Sequence, residues 1–163
     1  AGAVTDLLAK DSIRTICSLA PKIQSGALGL AERQTLLHAS MLAGMVIANT
    51  GTTAVHALGY SLTYYHEIDH GRANGLLLGA LLTFCEKTMS DKVKEILAVG
   101  GFVDVNSFSG MLGVMLGKRE ALTESEMKKY AAKAFRAKNM ANCAYKPSEN
   151  DLYVMLKTSL EVC

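Results

Sequence analysis

Apolar residues recur along this chain at intervals of three and four, the spacing of one face of an α-helix, and strand-like alternation is almost absent. Leu7, Leu8, Ile13, Ile16, Leu19 and Ala20 form the first stripe, which Pro21 is expected to close. A second helix is predicted over Ala31–Asn49, rich in Ala, Leu and Met, with Gly51 near its end. A third is predicted over Thr53–Leu62, and a fourth from Asp69 or His70 to about Thr88. Ser90 stands where a fifth helix needs a cap, and Gly100 and Gly101 where it must stop. Asp104 or Ser107 opens a sixth toward Leu116. Thr123-x-x-Glu126 has the form of a capping box, ahead of a helix with Met127, Tyr130, Ala134 and Ala137 on one stripe. Ser148-x-x-Asp151 marks the start of a last helix, expected to end near Cys163. The pattern predicts an all-α bundle of about eight helices in a single domain, without repeat, low-complexity tract or linker.

Composition narrows the function classes. Half of the 163 residues are apolar and 20% are charged, which excludes intrinsic disorder, a collagen-like fibre and a disulfide-rich miniprotein. Seventeen Lys and Arg against fifteen Asp and Glu leave a net charge of +2, no electrostatic footprint for nucleic acid or an acidic membrane face. The richest apolar runs, Leu42–Ala48 and Leu76–Phe84, are too short to span a bilayer. Cys17, Cys85, Cys143 and Cys163 show no C-x-x-C spacing, so reduced thiols and a cytoplasmic location are expected. The N-terminus has no basic region followed by an apolar core, hence no signal peptide. It also lacks an initiator methionine, which fits either processing or derivation from a longer polypeptide.

Chemistry concentrates in three histidines within fifteen residues, His56, His66 and His70; His38 stands alone on an apolar helix and reads as a packing or surface residue. Two arrangements are open. His66-Glu67-Ile68-Asp69-His70 satisfies H-E-x-x-H, in which two imidazoles one helical turn apart bind zinc and the glutamate activates water. That chemistry requires one continuous helix, yet Thr-Tyr-Tyr precedes the motif and Gly71 and Gly75 follow it, favouring a loop that enters a helix at Asp69 or His70. No later histidine supplies a third ligand, and nothing marks Glu86 or Glu95 for that role. The second arrangement pairs His56 with His70. The positive end of a helix disfavours imidazolium, so a histidine at the start of the fourth helix stays neutral, as a ligand must.

The stretch Asn49–Leu78, with G-x-x-A-V-H-A-L-G-Y-x-L and H-G-x-A-N-G-L-L-L, resembles the iron-containing (group III) alcohol dehydrogenases. Their signature places two metal-binding histidines fourteen residues apart, the separation of His56 and His70. T-D-L-L-A-K-D-S-I-R near the N-terminus, and K-N-M-A-N-C with Pro147 near the C-terminus, extend the resemblance over essentially the whole chain.

The resemblance implies the helical metal-binding domain of a two-domain enzyme. The other domain binds NAD or NADP through a Gly-rich loop, and no such fingerprint occurs in this sequence. That N-terminal dinucleotide-binding domain is therefore an expected partner, together with a small alcohol or aldehyde substrate and, as is common in the family, a second copy of the chain. The expected metal is divalent, with Fe²⁺ favoured by the family and Zn²⁺ also suited to imidazole and carboxylate ligands. It is held by His56 and His70 and by an Asp-x-x-x-His motif that this chain lacks. The expected reaction is reversible hydride transfer between an alcohol carbon and nicotinamide, without turnover by the 163-residue chain alone.

Two positions depart from the family pattern. Tyr60 replaces a histidine that serves in proton transfer, and is the candidate catalytic residue; its phenol can donate a hydrogen bond. Asp69 replaces a proline and reads as a helix cap. His66 and Cys143 are assigned to the substrate pocket. The alternatives to a dehydrogenase are the zinc peptidase, which needs His66 and Glu67, and a stand-alone helical interaction module.

Overall fold

The computed structural model describes residues 2–162, and its helix ends follow from local chemistry. Helix α1 spans Ala3–Gln24 and α2 spans Leu30–Thr50. Pro21 does not close α1; the helix continues past it to Gln24. The stop comes from Gly26 at φ 69°, where Gly26 N–H reaches Ile23 O at 3.2 Å and Ala27 N–H reaches Lys22 O at 3.0 Å, a Schellman closure. Helix α3 spans Ala54–His66 and α4 spans His70–Thr88. Helix α3 outruns its expected end at Leu62 by a turn, and Glu67 ends it in the left-handed region at φ 54° without a glycine.

Helix α5 (Ser90–Gly100) stops at Gly101, φ 81°, and α6 (Val105–Leu116) at Gly117, φ 69°. Both predicted capping boxes form. Glu126 N–H reaches Thr123 Oγ1 at 3.2 Å and Thr123 N–H reaches Glu126 Oε2 at 2.9 Å, opening α7 over Glu124–Phe135. Ser148 and Asp151 repeat the exchange at α8, Glu149–Ser159. Between them lies a 3₁₀ turn, Lys138–Asn142, into which Ala137 leads rather than extending α7. Helix α8 ends short of its expected limit, because Leu160 turns extended and Glu161–Val162 pair in parallel with Ala121–Leu122. Position 163 lies outside the described residues.

Two compact units share the chain. One holds α1, α2 and the C-terminal part of α5; the other holds α3, α4, the start of α5, and everything from Val105 onward. In the first, the α1–α2 hairpin buries Ala20, Ala39 and Leu42, and the Ser12 hydroxyl donates to Ala39 O at 2.9 Å. Ion pairs Lys22–Glu32, at 2.5 Å, and Lys10–Glu95 lie on its surface. The second unit carries the main core: Leu58, Leu62, Leu77, Leu122, Met127, Leu152 and Leu156 are all buried. Arg72 of α4 ties down the end of α6, bonding Glu120 Oε1 at 2.6 Å, Lys118 O at 2.6 Å and Leu116 O. Among the described residues no single helix is long and apolar enough to cross a membrane.

Candidate metal centre

Helices α3 and α4 cross where Gly59 meets Asn74. A Cβ at Gly59 would stand against Asn74 Oδ1, so that amide holds its position only beside a glycine. The close crossing carries His56, the third residue of α3, to within 5.3 Å of His70, the first residue of α4, measured between ring centroids at a tilt of 60°. Asp69 stands as the N-cap of α4, although its side chain makes no cap bond. Tyr60 completes the cluster. Its ring stacks on His70 at 5.7 Å and 13°, and meets His56 edge-on at 6.4 Å.

Burial pushes the His56 imidazole below its ordinary pKa, and the neighbouring His70 adds to the shift. His56 is thus held neutral with its lone pair available. Asn74 Nδ2 lies 3.1 Å from His70 Nε2, while Asn74 Oδ1 is buried without a partner against α3. The donor set, two converging imidazoles with one held neutral by its surroundings, fits a divalent cation of the iron or zinc kind as two of its ligands. Among the described residues no three His, Cys, Asp or Glu side chains group to hold a metal, so the pair is half of a usual site.

His66 stands apart. Its Nε2 lies 2.9 Å from the hydroxyl of buried Tyr130 and 3.7 Å from Glu126 Oε1. The break at Glu67 puts His66 at the end of α3 and His70 at the start of α4. One continuous helical face is what the H-E-x-x-H arrangement requires, so the zinc-peptidase alternative is overturned. Glu95, a spare carboxylate for that reading, pairs with Lys10.

Cys143 follows the 3₁₀ turn and is half-buried. Burial raises the thiol pKa, against the smaller lowering effects of the Ala54 backbone and of Lys146. A cavity of about 380 Å³ opens elsewhere in the second unit, between α4, α6 and α8, lined by Gly75, Gly79, Phe84, Leu112 and Met155. None of His56, Tyr60, His70 or Cys143 borders it.

Several contacts at the site have no sequence signal: the Gly59–Asn74 crossing, the Tyr130 partner of His66, and Asn139 and Asn142, which bond back to residues 52 and 53 across more than eighty positions.

The fold is that of the helical C-terminal domain of iron-containing alcohol dehydrogenases. The family model described as the Fe-containing alcohol dehydrogenase family, C-terminal, matches residues 1–160, and the chain belongs to that family. It is 30% identical over 102 residues to long-chain-alcohol dehydrogenase 1 of Geobacillus thermodenitrificans, covering 62% of this chain and 26% of that protein. To the 1,3-propanediol dehydrogenase of Klebsiella pneumoniae it is 37% identical over 79 residues, covering 48% of this chain and 20% of that one. Among solved structures, the iron-containing alcohol dehydrogenase of Thermotoga maritima superposes at a TM-score of 0.84 with 30% identity, over 96% of this chain and 42% of the other. The chain thus spans about a quarter of the length of the first curated relative and about two fifths of the solved one.

Proposed function

We propose that residues 1–163 serve as one helical, metal-holding domain of a cytoplasmic enzyme that interconverts a small alcohol and its aldehyde or ketone with NAD or NADP. The observation that carries this reading is the convergence of His56 and His70 at 5.3 Å. In it the two histidines hold a divalent metal, iron by preference and zinc as the alternative. When bound, the metal polarises the substrate oxygen and favours alkoxide at neutral pH.

The chain's own residues do the rest. Burial keeps His56 neutral and in position to donate a lone pair. Tyr60, half-exposed and stacked on His70, is the group that would hold a proton for the alcohol or carbonyl oxygen. His66 and Cys143 border the substrate rather than the metal. The dinucleotide does not fit this chain, which has no Gly-rich phosphate loop; the rest of the enzyme supplies that site. A second copy of the enzyme is the expected oligomeric partner.

Titration of the chain with Fe²⁺ or Co²⁺ tests the reading. His56→Ala should abolish binding and His66→Ala should leave it in place; loss in His66→Ala alone would overturn the assignment. Alcohol-dependent NAD reduction by the purified chain would overturn the placement of the nucleotide site elsewhere.

A further inference from the structure

We propose that Asn139 and Asn142 are positioning residues for His56, acting through the two residues that lead into α3; this rests on the reading of His56 and His70 as metal ligands. The first turn of a helix has no preceding turn to hold it, so its orientation depends on what its free ends touch. At α3 the usual device is absent, because the N-cap residue Thr53 makes no side-chain cap bond. The anchorage comes from the 3₁₀ turn instead. Asn142 Nδ2 donates to Thr52 O at 2.9 Å, and Asn139 Nδ2 donates to Thr53 O at 3.2 Å and to Thr52 Oγ1 at 3.3 Å.

One short segment thus grips residues 52 and 53 in succession. His56 follows three residues after Thr53. The grip has a firm base, since Met140, in the middle of the turn, is 1% exposed and packs in the main core. A ring that must meet His70 across a tilt of 60° tolerates little rotation of the turn that carries it. Two amides aimed at consecutive carbonyls set that rotation.

The test is a Co²⁺ titration of the full 163-residue chain, followed through the imidazole proton resonances of His56 and His70, with the unfolding midpoint measured alongside. Asn139→Asp and Asn142→Asp keep the side-chain shape but turn an acceptor toward each carbonyl. Each should raise the Co²⁺ Kd about 10- to 100-fold, the range for groups that orient metal ligands, and move the His56 resonances more than those of His70. Asn142→Gln, which keeps the donor, should recover part of the affinity.

Thr123→Ala, a cap lost at α7, should lower the midpoint without changing the Kd, which separates positioning from general stability. If the Asp variants do not fold, Thr52→Val removes only the hydroxyl that accepts from Asn139 and should still raise the Kd. Unchanged affinity in these variants, with binding lost in His56→Ala, overturns the positioning role and leaves the ligand reading standing. Unchanged affinity in His56→Ala overturns both.

Discussion

The imidazoles of His56 and His70 stand 5.3 Å apart although fourteen positions separate them, and Asn74, bonded to His70, fits against Gly59, one turn beyond His56. Gly59→Ala would press a methyl group against Asn74 Oδ1, and the flexible amide would swing away from His70. The stability change is expected to be below about 1 kcal/mol, because alanine's helix propensity offsets the displacement. The resonances of the His70 ring should shift all the same. Unchanged His70 signals in a folded Gly59→Ala chain would contradict this.

Tyr130 buries its ring beneath α3 and shares a proton with His66. Tyr130→Phe keeps the ring and removes that bond. His66 is only half-buried and can turn to water, so the loss should be about 1 kcal/mol, read from the urea midpoint. His66→Ala should cost a similar amount, and the double variant should cost less than the sum of the two.

Arg72 makes three bonds to the end of α6 and the segment after it, and Glu120 Oε2 is already buried without a partner. Arg72→Ala should cost about 2 to 3 kcal/mol in urea unfolding, the scale for hydrogen bonds to a charged group. Arg72→Lys should recover little, since an ammonium cannot reach two carbonyls and a carboxylate with one fork. Recovery of full stability by lysine would show that charge alone suffices.

The Glu126 carboxyl is held below its ordinary pKa of 4.5, first by the Thr123 hydroxyl and then by the Thr123 N–H, with His66 and Lys129 adding less. A lowered folded pKa means that the unfolded chain takes up the proton first. This carboxylate therefore contributes its stability above about pH 4.5 and loses it as pH falls through the lower folded value. In Glu126→Gln the fall in stability on acidification below that pH should be shallower than in the parent. An identical acid limb would rule out this role.

Much of the architecture was legible in the chain. The boxes at Thr123 and Ser148, and the stops at Gly51 and Gly101, work through partners three to five residues away, and such signals survive in a linear string. Where the reading slipped, the deciding contact was remote or unspecific. Pro21 near the end of α1 does not end the helix by itself, and α3 runs on past the buried Leu62 to His66, up to the reversal at Glu67.

The candidate site divides along the same line. The types and spacing of His56, Tyr60 and His70 were readable, as was the loop ahead of Asp69, because each is a matter of residue identity and helix propensity. Which histidine goes with which was not local. His66 lies four residues from His70 and ten from His56, yet it turns to Tyr130, sixty-four residues on, because the backbone reverses at Glu67. Likewise Asn139 and Asn142 are unremarkable polar residues in the string, and become the anchors of α3 only when Met140 is drawn into the core beside it. Helix starts and stops are written in neighbouring residues; the meeting of two imidazoles depends on how helices pack across a shared core, which no single run of sequence records.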